Sequence, residues 1–150
     1  MDNLVLEIVD CIKKEDTEAL LGLLKNDALV FDLLVQSTRK DALKIKAYMS
    51  TKEGQLNYSR EQMSKKERIR VFFNQGLKQQ LTLNSSVFKS TGFELLSNDD
   101  FAEGLPAKIQ QYRIRLDNGD DKQYTYNIEV IFCKGKYHLI EAAGYLDSPS

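Results

Sequence analysis

QYTYNIEVIFCKGKYHLIEAAGYL, residues 123–146, decides the fold. Apolar and polar side chains alternate through two runs that meet at Lys134-Gly135, the pattern of half-buried strands closed by a two-residue hairpin turn. That turn pairs Phe132 with Tyr137, Val130 with Leu139, Ile128 with Glu141, Tyr126 with Ala143 and Tyr124 with Tyr145. One face of the hairpin is then almost wholly aromatic and aliphatic, and it requires a covering layer.

The alternation extends back to Ser86 and predicts an antiparallel meander of about four strands, 86–96, 107–117, 123–133 and 136–146. The connections are too short for the crossover helices that parallel pairing needs. Tyr112, Ile114 and Leu116 must join the apolar face of the hairpin. A tight turn at Asn118-Gly119 would instead set them opposite Asp121, Gln123 and Thr125. A longer, polar and exposed loop through residues 118–122 is therefore expected, pairing Leu116 with Tyr124, Ile114 with Tyr126 and Tyr112 with Ile128.

The covering layer comes from the first half of the chain. With Asp2 as N-cap, Leu4, Val5, Ile8, Val9 and Ile12 recur at helical spacing, and Asp16 caps a second helix from Thr17 to about Lys25. Asn26-Asp27 stops it. The short apolar run Ala28 to Leu34 fits a strand and a buried helix equally. Thr38 with Asp41 opens a helix from Arg39 to about Met49, with Ala42, Ile45 and Tyr48 expected inward. Residues 50–59, polar and containing Gly54, read as a loop or short irregular hairpin. Ser59 with Gln62 and Ser64 with Glu67 form two further capping boxes. The second introduces a helix to about Leu81, with Ile69, Phe73, Leu77 and Leu81 at i+4 steps and Phe72 beside them, and Gly76 suggests close packing there. Helices first and strands last give one α+β domain, helical over about 1–81 and a curved antiparallel sheet over about 86–146.

At 150 residues the chain is long enough for a core without disulfides or metals. Its two cysteines, Cys11 and Cys133, have neither zinc spacing nor a disulfide framework, and a reduced, cytoplasmic setting is expected. The start MDNLVLEIVDCI has Asp2, Glu7 and Asp10 where a secretion signal has a basic start and an apolar run, and no stretch reaches membrane-spanning length. No cofactor signature, phosphate loop or metal motif is present, and 117–121 lacks the spacing of a calcium loop.

The near-neutral total of 21 basic and 22 acidic residues conceals a basic middle. Residues 1–38 carry a balance of −5, residues 39–78 of +7 and residues 79–150 of −3. Arg39, Lys40, Lys44, Lys46, Lys65, Lys66, Arg68 and Arg70 form a candidate contact surface. No nucleic-acid motif and no interleaved aromatic platform accompanies them, so a protein partner is expected rather than nucleic acid or membrane.

Two further candidates lie in the sheet. The alternation puts Glu141 on the apolar face opposite Ile128, where a carboxylate must be paired, neutralised or wet. Flanked by Tyr112, Tyr126 and Tyr145 it defines a candidate ligand pocket, with Glu141 as acid or base. The other face carries Glu129, Ile131, His138 and Ile140 beside Cys133 and Ala142. It is too apolar for free solvent, and a homodimer or partner is expected to cover it. His138 falls opposite Ile131, within diagonal reach of Glu129.

The opening KKEDTEALLGLLKNDALVFD and the closing strand KGKYHLIEAAGYL resemble the nuclear-transport-factor-2-like superfamily. The resemblance implies N-terminal helices seated in the concavity of a curved antiparallel sheet, often with a pocket between them. In the ketosteroid-isomerase-like members an Asp shortly after the second helix is a general base, and Asp32 occupies roughly that place. Their helix-one tyrosine has no counterpart among Leu4 to Ile12, and the His–Asp pair of the dehydratases is missing. A non-catalytic binding protein, for example an immunity-type inhibitor of a toxin, is thus the expectation. A small-molecule pocket or isomerase/hydratase-like site using Glu141 or Asp32 is the alternative.

Overall fold

The computed structural model describes residues 1–24, 29–30, 32–33, 42–101 and 105–148. Four strands, β1 (Lys89–Asp100), β2 (Ala107–Asp117), β3 (Gln123–Cys133) and β4 (Lys136–Ala142), form one curved, unclosed antiparallel sheet in sequence order. The helices precede it, segregated from the strands as in an α+β domain: α1 (Asp2–Lys13), α2 (Thr17–Leu23), α3 (Ala42–Met49), α4 (Lys52–Val71), a π-turn (Phe72–Gly76) and α5 (Leu77–Gln80).

The α1 stripe of Val5, Ile8, Val9 and Ile12 is buried. Met1, not Asp2, holds the cap position, and Asp2 is the first helical residue, where its negative charge suits the positive end of the helix dipole. Asp16 caps α2 as expected, accepting from Ala19 N at 3.0 Å. The Asn26-Asp27 stop and the Thr38–Asp41 box lie outside the described residues. Within the ambiguous run, residues 29–30 and 32–33 are helical.

Residues 50–59 are not a loop. Thr51 caps α4 by accepting from Gly54 N at 3.0 Å, and the helix continues past both proposed boxes, through the π-turn, to Gln80. Gly54 has a packing reason rather than a breaking one: a Cβ there would lie 2.0 Å from Tyr48 O, so α3 and α4 meet at this corner backbone against backbone. Tyr48, expected inward, is exposed. Further along, the wider π-turn carries both Phe72 and Phe73, adjacent in sequence, into the core with Ile69 and Leu77. Gly76 meets only ordinary contacts, Phe72 at 3.7 Å and Gly144 O at 3.9 Å, so no close approach depends on it.

The β2–β3 register is the expected one: Leu116 opposite Tyr124, Ile114 opposite Tyr126, Tyr112 opposite Ile128. The longer loop exists, but Asn118 within it is buried, accepting from Asn84 N at 2.9 Å and donating to Thr82 O at 3.0 Å. Lys134 and Gly135, both at positive φ, make the tight β3–β4 turn.

The last hairpin departs from perfect alternation. Phe132 pairs with Tyr137 and Val130 with Leu139, but Glu129 then pairs with Glu141 and Ile128 with Ala142. Ile140 is the extra residue of a β-bulge, which turns Ala142 inward and Glu141 outward. The inner face packs on α1, α2 and the rod from Ile69 onward. On the outer face, Ala107, Ile131 and Cys133 are covered by the chain's own Leu29, Val30, Leu33, Phe101 and Leu105. This part of the face needs no dimer to exclude water.

Candidate functional site

Two surfaces carry the chemistry-bearing residues. The first is a cleft of about 350 Å³ on the outer face of the sheet, bounded by Arg68 of α4, Leu96 of β1, Gln111, Asn127 and Glu129 of the central strands, Glu141 of β4, and Gly144 and Tyr145 beyond it. Backbone irregularities bring these together. One bulge places Leu96 between the pairs of Leu95 and Ser97, and the other reverses Glu141. Arg68 reaches it from α4 and forms an ion pair with Glu141. Both partners are roughly half-exposed, which limits such a pair to about 1 kcal/mol of stability. Gly144 lies under Arg68; a Cβ there would meet Arg68 O at 3.4 Å. Gln80 secures Leu146, two residues further on, accepting from Leu146 N at 3.0 Å and donating to Leu146 O.

Inside the cleft, Glu129 and Glu141 stand directly opposite each other, an unfavourable like-charge pair. Arg68 answers one. Among the described residues, Glu129 accepts only from Gln111 Nε2, at 3.2 Å. Asn127 Oδ1 is enclosed and has no hydrogen-bond partner among the described residues. Arg68, Gly144 and Tyr145 also border an adjoining hollow of about 450 Å³, walled by Val71, Ser64 and Glu67.

The expected ligand-pocket residues divide between the two faces. Glu141 and Tyr145 line the outer cleft. Tyr112 and Tyr126 are core residues of the inner face, so the four do not surround one cavity. Tyr112 donates to Gln110 Oε1 at 3.0 Å, and burial together with Tyr137 holds its phenol above the usual range. Tyr126 stacks on Phe72 at 5.6 Å with its hydroxyl unpartnered, and burial drives its phenol far upward. Glu141, expected on that apolar face, is displaced from it by the Ile140 bulge. Asp32 is exposed and borders neither hollow. His138 does lie opposite Ile131, but no hydrogen bond joins it to Glu129. Burial and then Lys136 push its pKa below the ordinary value. Cys11 is a buried thiol whose pKa is raised by burial and by Asp16, Asp10 and Glu7, the reverse of an activated nucleophile.

The second surface is the α3–α4 corner. Arg39 and Lys40 lie outside the described residues. Lys44 and Lys46 are exposed on α3. On α4, Lys65 donates to Ile140 O at 3.5 Å, Arg68 is drawn to Glu141, and Arg70 lies 3.9 Å from Glu67. Over residues 42–71, eight cations face three carboxylates.

Sequence reasoning missed the apolar part of this surface. At about 100° per residue, Leu56, Met63 and Val71 share the α4 side opposite Gly54 and Ile69, with Arg60 and Glu67 between them. All three are exposed, as are Leu43 and Tyr48 of α3; Leu43 is 81% and Met63 67% accessible. The seven-residue step from Leu56 to Met63 is the signal that reading 50–59 as a loop discarded.

Compared with protein-family models, curated proteins and solved structures, the chain matches none. No helix among the described residues is long and apolar enough to cross a membrane.

Proposed function

We propose that this chain is a non-catalytic binding protein that docks an acidic protein partner on the outward face of α3 and α4. The observation that carries the reading is the exposure of Leu43 on α3 and of Leu56, Met63 and Val71 on α4, with Lys44, Lys46, Arg60 and Lys66 on the same two helices. Apolar residues set among cations that form no ion pair among the described residues suit a partner that brings both apolar contacts and carboxylates. An immunity-type inhibitor that holds an acidic toxin surface is one role of this kind, performed in the cytoplasm. We read the helices against a curved sheet as the nuclear-transport-factor-2-like arrangement, a fold that does not by itself decide activity. Separation of Asp32, Tyr126 and Glu141 favours binding over the isomerase-like alternative.

The test is affinity capture from the source cells with the wild-type chain, the charge-reversed variant K44E/K46E/K66E/R70E, and Met63→Glu. The expected result is an acidic protein retained by the wild type, released as salt rises, and lost from both variants. Retention of the same proteins by all three chains, or of none by the wild type, ends the proposal.

A further inference from the structure

The outer-face cleft is independent of the α3–α4 docking surface in its chemistry, and its unmet hydrogen-bonding capacity is specific. Glu141 is answered by Arg68, whereas among the described residues Glu129 has no cation and Asn127 Oδ1 has no donor. One negative charge and several acceptor positions are therefore left over, in a cavity whose rim adds Leu96 and the ring of Tyr145, 58% accessible. We propose that this cleft binds a small organic cation, a primary ammonium or guanidinium with a short apolar body.

The cation's N–H groups bridge Glu129 and the free oxygen of Glu141, relieving the repulsion between two carboxylates that the sheet register sets opposite each other. Its apolar body lies against Leu96 and the Tyr145 ring, where a cation–π contribution is also available. The volume of about 350 Å³ is at the small end of ligand sites, which matches a ligand of amino-acid size rather than a nucleotide. Two bulges deliver Leu96 and Glu141 to this one place, and each costs ladder pairing that an uninterrupted strand would keep.

The experiment is an amide-shift NMR titration of the whole chain with butylammonium and butylguanidinium, using butyrate and butanol as controls. The expected result is saturable binding of the two cations with a dissociation constant of about 1 mM, as befits a ligand of few atoms. Shifts should concentrate at Gln111, Asn127, Glu129 and Gly144. Glu129→Gln should weaken binding about tenfold, the loss of a charge-assisted contact, while Lys66→Glu, on the docking surface, leaves it unchanged. Tyr145→Ala, outside the core, should weaken it severalfold and serves if the Glu129 variant does not fold. Cations that bind no better than butanol, or that bind Glu129→Gln and Tyr145→Ala as well as the wild type, overturn the assignment whatever becomes of the protein partner.

Discussion

The rod from Lys52 to Gln80 is one continuous helix with two different supports. From Ile69 onward it is held by burial: Ile69, Phe72, Phe73 and Leu77 are sealed against the sheet and α1. Before that, from Lys52 to about Lys66, Gly54 is the only fully buried residue, and local devices hold the turn: Thr51 Oγ1 donates to Tyr48 O at 2.6 Å and accepts from Gly54 N. A buried segment constrains its residues through packing, whereas an exposed one leaves most side chains free to serve something outside the fold. The contrast separates what this protein needs in order to fold from what it has available for binding.

The largest expected effect tests the buried end. Phe72→Ala removes a ring packed edge-on against Phe73 at 5.2 Å and stacked on Tyr126, at an expected cost of about 3–5 kcal/mol. Urea unfolding measures it. A cost below about 1.5 kcal/mol would mean that the π-turn end is no better anchored than the rest of the rod.

Next comes the corner. Gly54→Ala forces a methyl onto Tyr48 O, and overpacking of this kind costs about 1–3 kcal/mol. Because the first half of α4 buries only Gly54 and meets α3 at this corner, the expected loss is local. Hydrogen exchange should accelerate at α3 and at residues 54–62 while amides near Ile69 keep their protection. Equal acceleration at both ends would show a single cooperative unit and erase the distinction.

The sheet was largely legible in the sequence because its signals are local and period-two: the positive-φ pair Lys134-Gly135, and the incompatibility of Asn118-Gly119 with an inward Leu116. What escaped notice was any place where the backbone departs from a regular period. Ile140 is as apolar as an alternating strand allows, so nothing marked it as the extra residue. The one clue was chemical: a carboxylate at 141 and an alanine at 142 are better placed if the register slips by one after Leu139. Gly54 was misread for a related reason, since glycine serves loops and close helix contacts alike, and only the position of Tyr48 O distinguishes them. The outer cleft depends on both bulges, and so Glu129, Glu141 and Tyr145 could be named beforehand but not placed together, Glu129 being expected on one face and Glu141 on the other.

A smaller effect, of opposite sign, sharpens the account of the buried half. Tyr126 keeps a hydroxyl that is enclosed, unpartnered and held neutral by burial. Removing an unsatisfied buried group relieves its desolvation penalty, so Tyr126→Phe should be neutral or stabilising by up to about 1 kcal/mol. Thermal and urea unfolding check this. Destabilisation would mean that the hydroxyl has a partner, and would return Tyr126 to the list of ligand-binding candidates.

The smallest expected change in stability bears most on the comparison. Leu56→Gln and Met63→Gln lie on the α4 side away from Ile69, exposed among charged neighbours. Neither opens a cavity, and glutamine has helix propensity close to that of leucine and methionine. The double variant should therefore unfold within about 0.5 kcal/mol of the wild type. Partner capture by the same variant then asks whether these exposed apolar side chains serve docking. Unchanged stability with lost capture would make the first half of α4 a surface maintained for recognition. A marked loss of stability would instead show that Leu56 and Met63 support the α3–α4 corner, and that the exposed half of the rod is held by packing after all.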